Sequence, residues 1–206
     1  MKVLNLYAGI GGNRKLWTDV EVTAVELDPN IAKIYQDFFP DDKVIVGDAH
    51  QYLLEYFAEY DFIWSSPPCP SHSKLRLLNN IKLYPDMTLY QEIIFLKYFC
   101  KSLFVVENVK PYYEPLISCQ PCGRHLLWSN FNITDRNKIK NNPVKYWTYE
   151  DYENHYDIRL KQYQIKGFDR RKILRNCVEP KLGLHILNCA REIYEAEDVH
   201  QIAMEL

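Results

Sequence analysis

Residues 3–13 read VLNLYAGIGGN. The run VLNLY (3–7) carries no charge and suits a strand buried on both faces. Gly9, Gly11 and Gly12 follow at once, and glycine lets backbone turn sharply and approach a ligand closely. The stretch is therefore expected to be a strand and a glycine turn that opens onto a helix. Its spacing is not the G-x-G-x-x-G of dinucleotide sites, which argues against NAD.

Working outward, the same alternation repeats. EVTAVEL (21–27), KVIVGD (43–48), DFIWSS (61–66) and SLFVVENV (102–109) read as further strands. Between them PNIAKIYQDFF (29–39), HQYLLEYFAEY (50–60) and TLYQEIIFLKYF (88–99) have helical spacing, the first with proline at its start. Strands alternating with helices imply parallel pairing, hence a doubly wound α/β sheet. After Pro111 the pattern changes: HLLWSNFNI (125–133) looks antiparallel, 136–170 shows no clear period, and LGLHILNCAREIYEAE (182–197) is a helix.

A length of 206 residues and 47% hydrophobic content fit one domain with a real core. No apolar run is long enough to span a bilayer and no cleavable leader is visible, so a cytoplasmic location with free thiols is expected. The net charge of −2 excludes a generally basic polyanion binder. Any nucleic-acid contact must come from a local patch, and 136–175 is the candidate. There Arg136, Lys138, Lys140, Lys145, Arg159, Lys161, Lys166, Arg170, Arg171, Lys172 and Arg175 interleave with Tyr146, Trp147, Tyr149, Tyr152, Tyr156 and Tyr163. Such a mixture suits phosphate contacts with stacking, or a solvated charged face. Cys119 and Cys122 form a lone C-x-x-C with no second pair, so no metal site is expected.

The strand ends carry the chemistry. Glu26 closes the second strand, where an acid accepts hydrogen bonds from a ribose diol; Asp28, before Pro29, is the better helix cap. Asp48 closes the third strand, as a ligand group for an adenine amine or as a turn acid. The fourth strand runs into WSSPPCPSHSK (64–74), where prolines on both sides hold Cys69 in one orientation. The fifth delivers Glu107 and Asn108; burial there is expected to raise the Glu107 pKa and equip it to donate a proton.

The ordered set YAGIGG, AVELD, VGDA, SPPC, ENV, GRHLLWSNF and RNCVEP closely resembles the DNA (cytosine-5) methyltransferases, from Asn5 to about Leu187. The resemblance implies a Rossmann-like fold that binds S-adenosylmethionine, and duplex DNA as partner, with the target cytosine swung out of the helix. It implies that Tyr7, Ala8, Gly9, Gly11 and Gly12 form the turn under the cofactor, Tyr7 standing where the family commonly has Phe. Glu26 would take the ribose hydroxyls, Leu27 would pack on adenine, and Asp48 with Ala49 would hold the adenine edge. Pro68 and Leu89 would line the pocket. Asn176 and Val178 of RNCVEP would return to it, with Arg175 in place of the usual Gly. Cys69 would attack carbon 6 of cytosine, Glu107 would serve ring N3, and Asn108 would orient the proline loop. The block that usually reads Q-x-R-x-R is here QPCGRHLLWSNF (120–131). By residue type Arg124 is the donor to cytosine O2, whereas alignment on WSNF puts His125 there.

On that reading residues 1–134 form the catalytic core, 135–171 a reduced target-recognition segment, and 172–206 a segment returning to the core. The loop SHSKLRLLNN (71–80), with Lys74 and Arg76, would close over DNA. So short a recognition segment implies a site of roughly two to four base pairs, at ~1–3 kcal/mol of discrimination per base-edge contact. Three alternatives stand beside this reading: an RNA (tRNA) cytosine-5 methyltransferase, a catalytically inactive DNA-binding relative, and a small-molecule methyltransferase. The biological role, whether restriction-modification, phage protection or orphan regulation, stays open.

Overall fold

The computed structural model describes residues 1–73, 84–135, 147–163 and 169–204. Lys74, Arg76, Arg136, Lys138, Lys140, Lys145, Tyr146 and Lys166 lie outside the described residues. Strands β1 (Lys2–Leu6), β2 (Glu21–Glu26), β3 (Lys43–Val46), β4 (Phe62–Ser65) and β5 (Leu103–Val109) pair in parallel. Strand β7 (His125–Ser129) runs antiparallel to β5, and β6 (Gln120–Cys122) antiparallel to β7. The order β3-β2-β1-β4-β5-β7-β6 reverses direction between β1 and β4. Ligand crevices in open α/β sheets lie outside the carboxyl ends of the strands at such a reversal.

Alternate residues of the central strands feed opposite faces. Leu4, Leu6, Ile63, Phe104 and Val106 pack against Leu53 of α2 (Ala49–Tyr56) and Leu89, Ile93 and Leu96 of α3 (Thr88–Phe99). Val3, Val22, Phe62, Trp64 and Val105 pack against Leu182, Ile186, Leu187 and Ala190 of α6 (Pro180–Met204). Helix α1 (Pro29–Phe38) sets Tyr35 on Ala24, which points the same way as Val22 two residues earlier, so α1 and α6 share a face. Each large side chain buried in these layers contributes about 1.5–3 kcal/mol. Among the described residues no helix is long and apolar enough to cross a membrane.

Two local expectations are corrected. The glycine turn does not open onto a helix: residues 7–20 are turns and bends. The Gly-Gly-Asn run is poor helix material, and its polar neighbours are bonded elsewhere. Asn13 donates to Asn5 Oδ1 (2.8 Å), while Arg14 donates to the Trp17 carbonyl (2.6 Å) and bridges both oxygens of Asp42 at 2.8 and 2.9 Å. Those bonds drop Trp17 into the core beside Trp64, with ring centroids 5.9 Å apart. Nor is 136–170 without period. Helix α4 (Tyr149–Tyr156) opens on a capping box in which Thr148 and Asp151 bond each other's backbone N–H. A short helix α5 (Arg170–Arg175) follows. Tyr152 and Tyr156, expected in a stacking patch, are instead buried with Ile10, Ile31, Ile34, Leu160 and Leu174.

Candidate active site

A cavity of about 960 Å³ opens at the carboxyl ends of β1, β2, β4 and β5. Its walls take in every residue singled out above for cofactor or catalysis except Gly11. A side chain at Gly11 would meet the Phe39 ring at 2.2 Å, so Gly11 shapes the turn from behind.

At one end the site is made of turns and strand tips. Gly9 has φ +55, and a Cβ there would point into open space, so the turn offers bare backbone to the cavity. Glu26 steadies that turn, accepting from the N–H of Gly9 (2.9 Å) and of Asp28 (3.0 Å). Leu27 is 69% exposed, an apolar surface on the cavity edge. Asp48 caps α2 through the Gln51 N–H (3.0 Å), so the turn-acid role is real and leaves its other oxygen uncommitted to that bond. Pro68 and buried Leu89 complete the wall with Ala8 and Ala49.

The returning segment forms the floor. A Cβ at Gly12 would sit 2.8 Å from both Cys177 Cβ and the Val178 carbonyl oxygen, so only glycine admits this approach. Asn176, Val178 and α5 residues Lys172 and Arg175 thereby reach the same cavity as Gly9. Lys172 and Arg175, two cations of the candidate patch 136–175, are exposed there.

Tyr7 holds a bulky side chain at φ +55, a conformation costing about 1–3 kcal/mol. Its hydroxyl, absent from Phe, donates to Glu92 of α3. Glu92 is fully buried and also binds Ser65 Oγ (2.7 Å) and His50 Nδ1 (3.0 Å). Burial and the Glu92 charge push the Tyr7 phenol far up, so it stays a neutral donor. Glu92 went unnoticed in the sequence, although a carboxylate inside the stripe Leu89, Ile93, Leu96 was its signal.

At the other end side chains bond side chains. Asn108 donates to the Pro67 carbonyl (3.0 Å), tying β5 to the loop that carries Cys69. The Cys69 carbonyl accepts from His72 (3.0 Å) and Ser73 (3.1 Å), closing that loop into a turn. Glu107 Oε2 accepts from Ser66 Oγ (3.0 Å), and Oε1 pairs with His125 Nδ1. Arg124 Nε in turn donates to His125 Nε2 (2.9 Å). Burial and the Glu107 charge push the Cys69 thiol up, so it rests protonated. The expected rise at Glu107 is reversed. Burial does push its carboxyl up, but His125, Ser66 and Arg124 together hold it below the ordinary carboxylate value.

A family model for C-5 cytosine-specific DNA methylases matches residues 1–115, over half of the chain. The chain belongs to that family. Among solved structures, a methyltransferase of Entamoeba histolytica is 11% identical with TM-score 0.59, covering 94% of this chain and 98% of that one. It shares the methylase's overall fold. A Spodoptera frugiperda DNMT2 mutant is 26% identical over 53% of this chain, with TM-score 0.39, and the match spans 35% of that chain. A DNA modification methyltransferase described as putative, from an Escherichia coli prophage, is 16% identical over 74% of this chain and 54% of that one, with TM-score 0.43. No curated protein matches the sequence.

The methylase's cofactor is S-adenosylmethionine. Its wall fits that group: bare backbone at Gly9, a carboxylate at Glu26, an exposed apolar side chain at Leu27 and an acid at Asp48. Among the described residues no cluster of His, Cys, Asp and Glu could hold a metal ion.

Proposed function

We propose that the chain methylates carbon 5 of a cytosine extruded from duplex DNA through a covalent adduct with Cys69. One observation carries the reading: Cys69, Glu107 and Arg124 line the same cavity as the glycine turn and Glu26. A reactive thiol, a proton carrier, a cation and a cofactor seat therefore face one volume.

The protonation states suit the chemistry. At rest the pair holds one proton on Cys69 sulfur and none on Glu107. Forming the S–C6 bond releases the sulfur proton just as ring N3 needs one, and Glu107 accepts and relays it. Electrons pushed from sulfur then make carbon 5 nucleophilic. Bound S-adenosylmethionine supplies an electrophilic methyl group at that point. Water takes the carbon 5 proton, the C5–H electrons form the C5–C6 double bond as the S–C6 bond breaks to release 5-methylcytosine, and the N3 proton returns through Glu107 to sulfur. Arg124 neutralises charge building on cytosine O2. Asn108, through Pro67, keeps Cys69 pointed at carbon 6.

Extruding the base costs about a few kcal/mol, which pocket contacts offset. Residues 135–171 supply the target contacts, assisted by Lys172 and Arg175 at the cavity rim. Buried Tyr152 and Tyr156 are not available to stack, so recognition rests on exposed cations such as Arg159, Lys161 and Arg171.

Transfer of tritium from labelled S-adenosylmethionine to duplex DNA and to tRNA tests the substrate. Incorporation into tRNA alone would replace DNA by RNA. Incubation with 5-fluorocytosine DNA tests the nucleophile: the wild type is expected to form a stable adduct that Cys69→Ser does not. An adduct surviving that substitution would end the assignment of Cys69.

A further inference from the structure

We propose that His125 is a positioning residue: it holds Glu107 as a carboxylate aimed into the cavity and docks Arg124 beside it. The proposal rests on Glu107 being the proton carrier described above, and it assigns a task to the position where the family pattern has arginine.

Geometry selects the tautomer of the imidazole. A guanidinium has only N–H groups to offer, so the bond from Arg124 Nε requires a lone pair on His125 Nε2. In the neutral ring the proton therefore sits on Nδ1, and Nδ1–H donates to Glu107 Oε1; protonation of Nε2 would break the Arg124 bond and keep the bond to Glu107. His125 opens β7 opposite Val109, so it lies diagonally across the antiparallel pair from Glu107 on the same face. Both side chains are almost wholly buried. Ser66 occupies the second carboxylate oxygen and receives a bond from Trp64 Nε1 (2.8 Å), so its own proton is directed at Glu107. The charged and titratable groups facing Glu107 are thus His125 and Arg124 from the β7 side and Cys69 from the loop after β4, with Arg175 of α5 acting on Cys69.

The consequence is an anion fixed at both oxygens before substrate arrives. An arginine in place of His125 would bring a permanent charge; imidazole brings one N–H aimed at Glu107 and a lone pair that anchors the neighbouring Arg124. Arg124 keeps its terminal N–H groups for the cytosine carbonyl while its Nε is held.

Nitrogen NMR of the intact wild-type protein labelled at histidine tests the arrangement without substrate. A neutral His125 with its proton on Nδ1 near neutral pH is expected; an imidazolium or an Nε2–H tautomer would overturn the proposal. The second measurement is the pH profile of methyl transfer for wild type, His125→Ala and His125→Asn, each checked for S-adenosylmethionine binding. In His125→Ala the acid limb should move up by about one pH unit, near tenfold lost activity on that limb. His125→Asn, whose amide N–H can replace Nδ1–H, should restore the limb. An unmoved limb in His125→Ala, or equal shifts in both variants, would overturn the proposal. A wild type that transfers no methyl group would instead remove the reading beneath it, leaving the NMR result to decide the geometry.

Discussion

The cofactor end of the cavity presents mainly backbone, with its side-chain network of Tyr7, Glu92, Ser65 and His50 set behind the turn, whereas the Cys69 end presents side chains bonded to side chains. At the first, Gly9 and Gly12 expose peptide groups, and Glu26 and Asp48 each accept from backbone N–H. At the second, Ser66, Glu107, His125 and Arg124 form one chain of hydrogen bonds. Backbone seats are set by turn geometry and tolerate many neighbours. Side-chain chains are set by pairs distant in sequence and fail when any member changes.

The difference predicts that lesions at the two ends separate. Glu107→Gln is expected to lower turnover about 10²–10⁴-fold while leaving S-adenosylmethionine binding unchanged in calorimetry. Cofactor binding lost with turnover would mean that the two ends are one unit. The same variant probes acid stability. Glu107 is held below its ordinary value of 4.5, so its stabilisation is complete above that value and disappears as pH falls through the lower folded-state value. The advantage of wild type over Glu107→Gln in denaturant melts should shrink as pH drops below 4.5.

Gly12→Val strikes the opposite end. Its side chain would collide with Cys177 and Val178, costing about 1–3 kcal/mol and weakening cofactor binding. For a chain of this size that is about 2–4 °C in Tm per kcal/mol. Unchanged melting and affinity would show that the returning segment does not seat the turn. Glu92→Leu leaves the hydroxyls of Tyr7 and Ser65 without their acceptor, at about 1–2 kcal/mol, read by thermal unfolding. It should also loosen the strained Tyr7 turn, so reduced cofactor affinity with normal adduct trapping would sharpen the division. Thr148→Ala removes one half of the α4 capping box and should cost about 1 kcal/mol without touching either end.

Legibility in the sequence follows the same line. Strands β1 to β5 announced themselves as apolar runs, and Glu26, Asp48, Cys69 and Glu107 could be placed because each closes such a run. The helix expected after Gly12 is absent because Asn13 and Arg14 bond to Asn5 and Asp42, partners that no local pattern reveals. Helix α4 did carry local signals, the Thr148–Asp151 box and tyrosines at 149, 152 and 156, but charge and asparagine around them masked the period. The ionisation of Glu107 is hidden from the sequence for a plainer reason. Burial can be read from a strand end, whereas a histidine 18 residues away, across an antiparallel pair, cannot.

The packing of Gly12 on Cys177 and Val178 also has a meaning in time. Synthesis runs from the amino terminus, and a nascent chain that has emerged through Val109 already contains Cys69 and Glu107. The floor beneath its glycine turn arrives only some seventy residues later, roughly several seconds at ordinary translation rates. The ribosome thus delivers Cys69 and Glu107 early and the floor of the glycine turn last. A half-made chain carries the proposed nucleophile while its glycine turn still lacks the floor on which it closes.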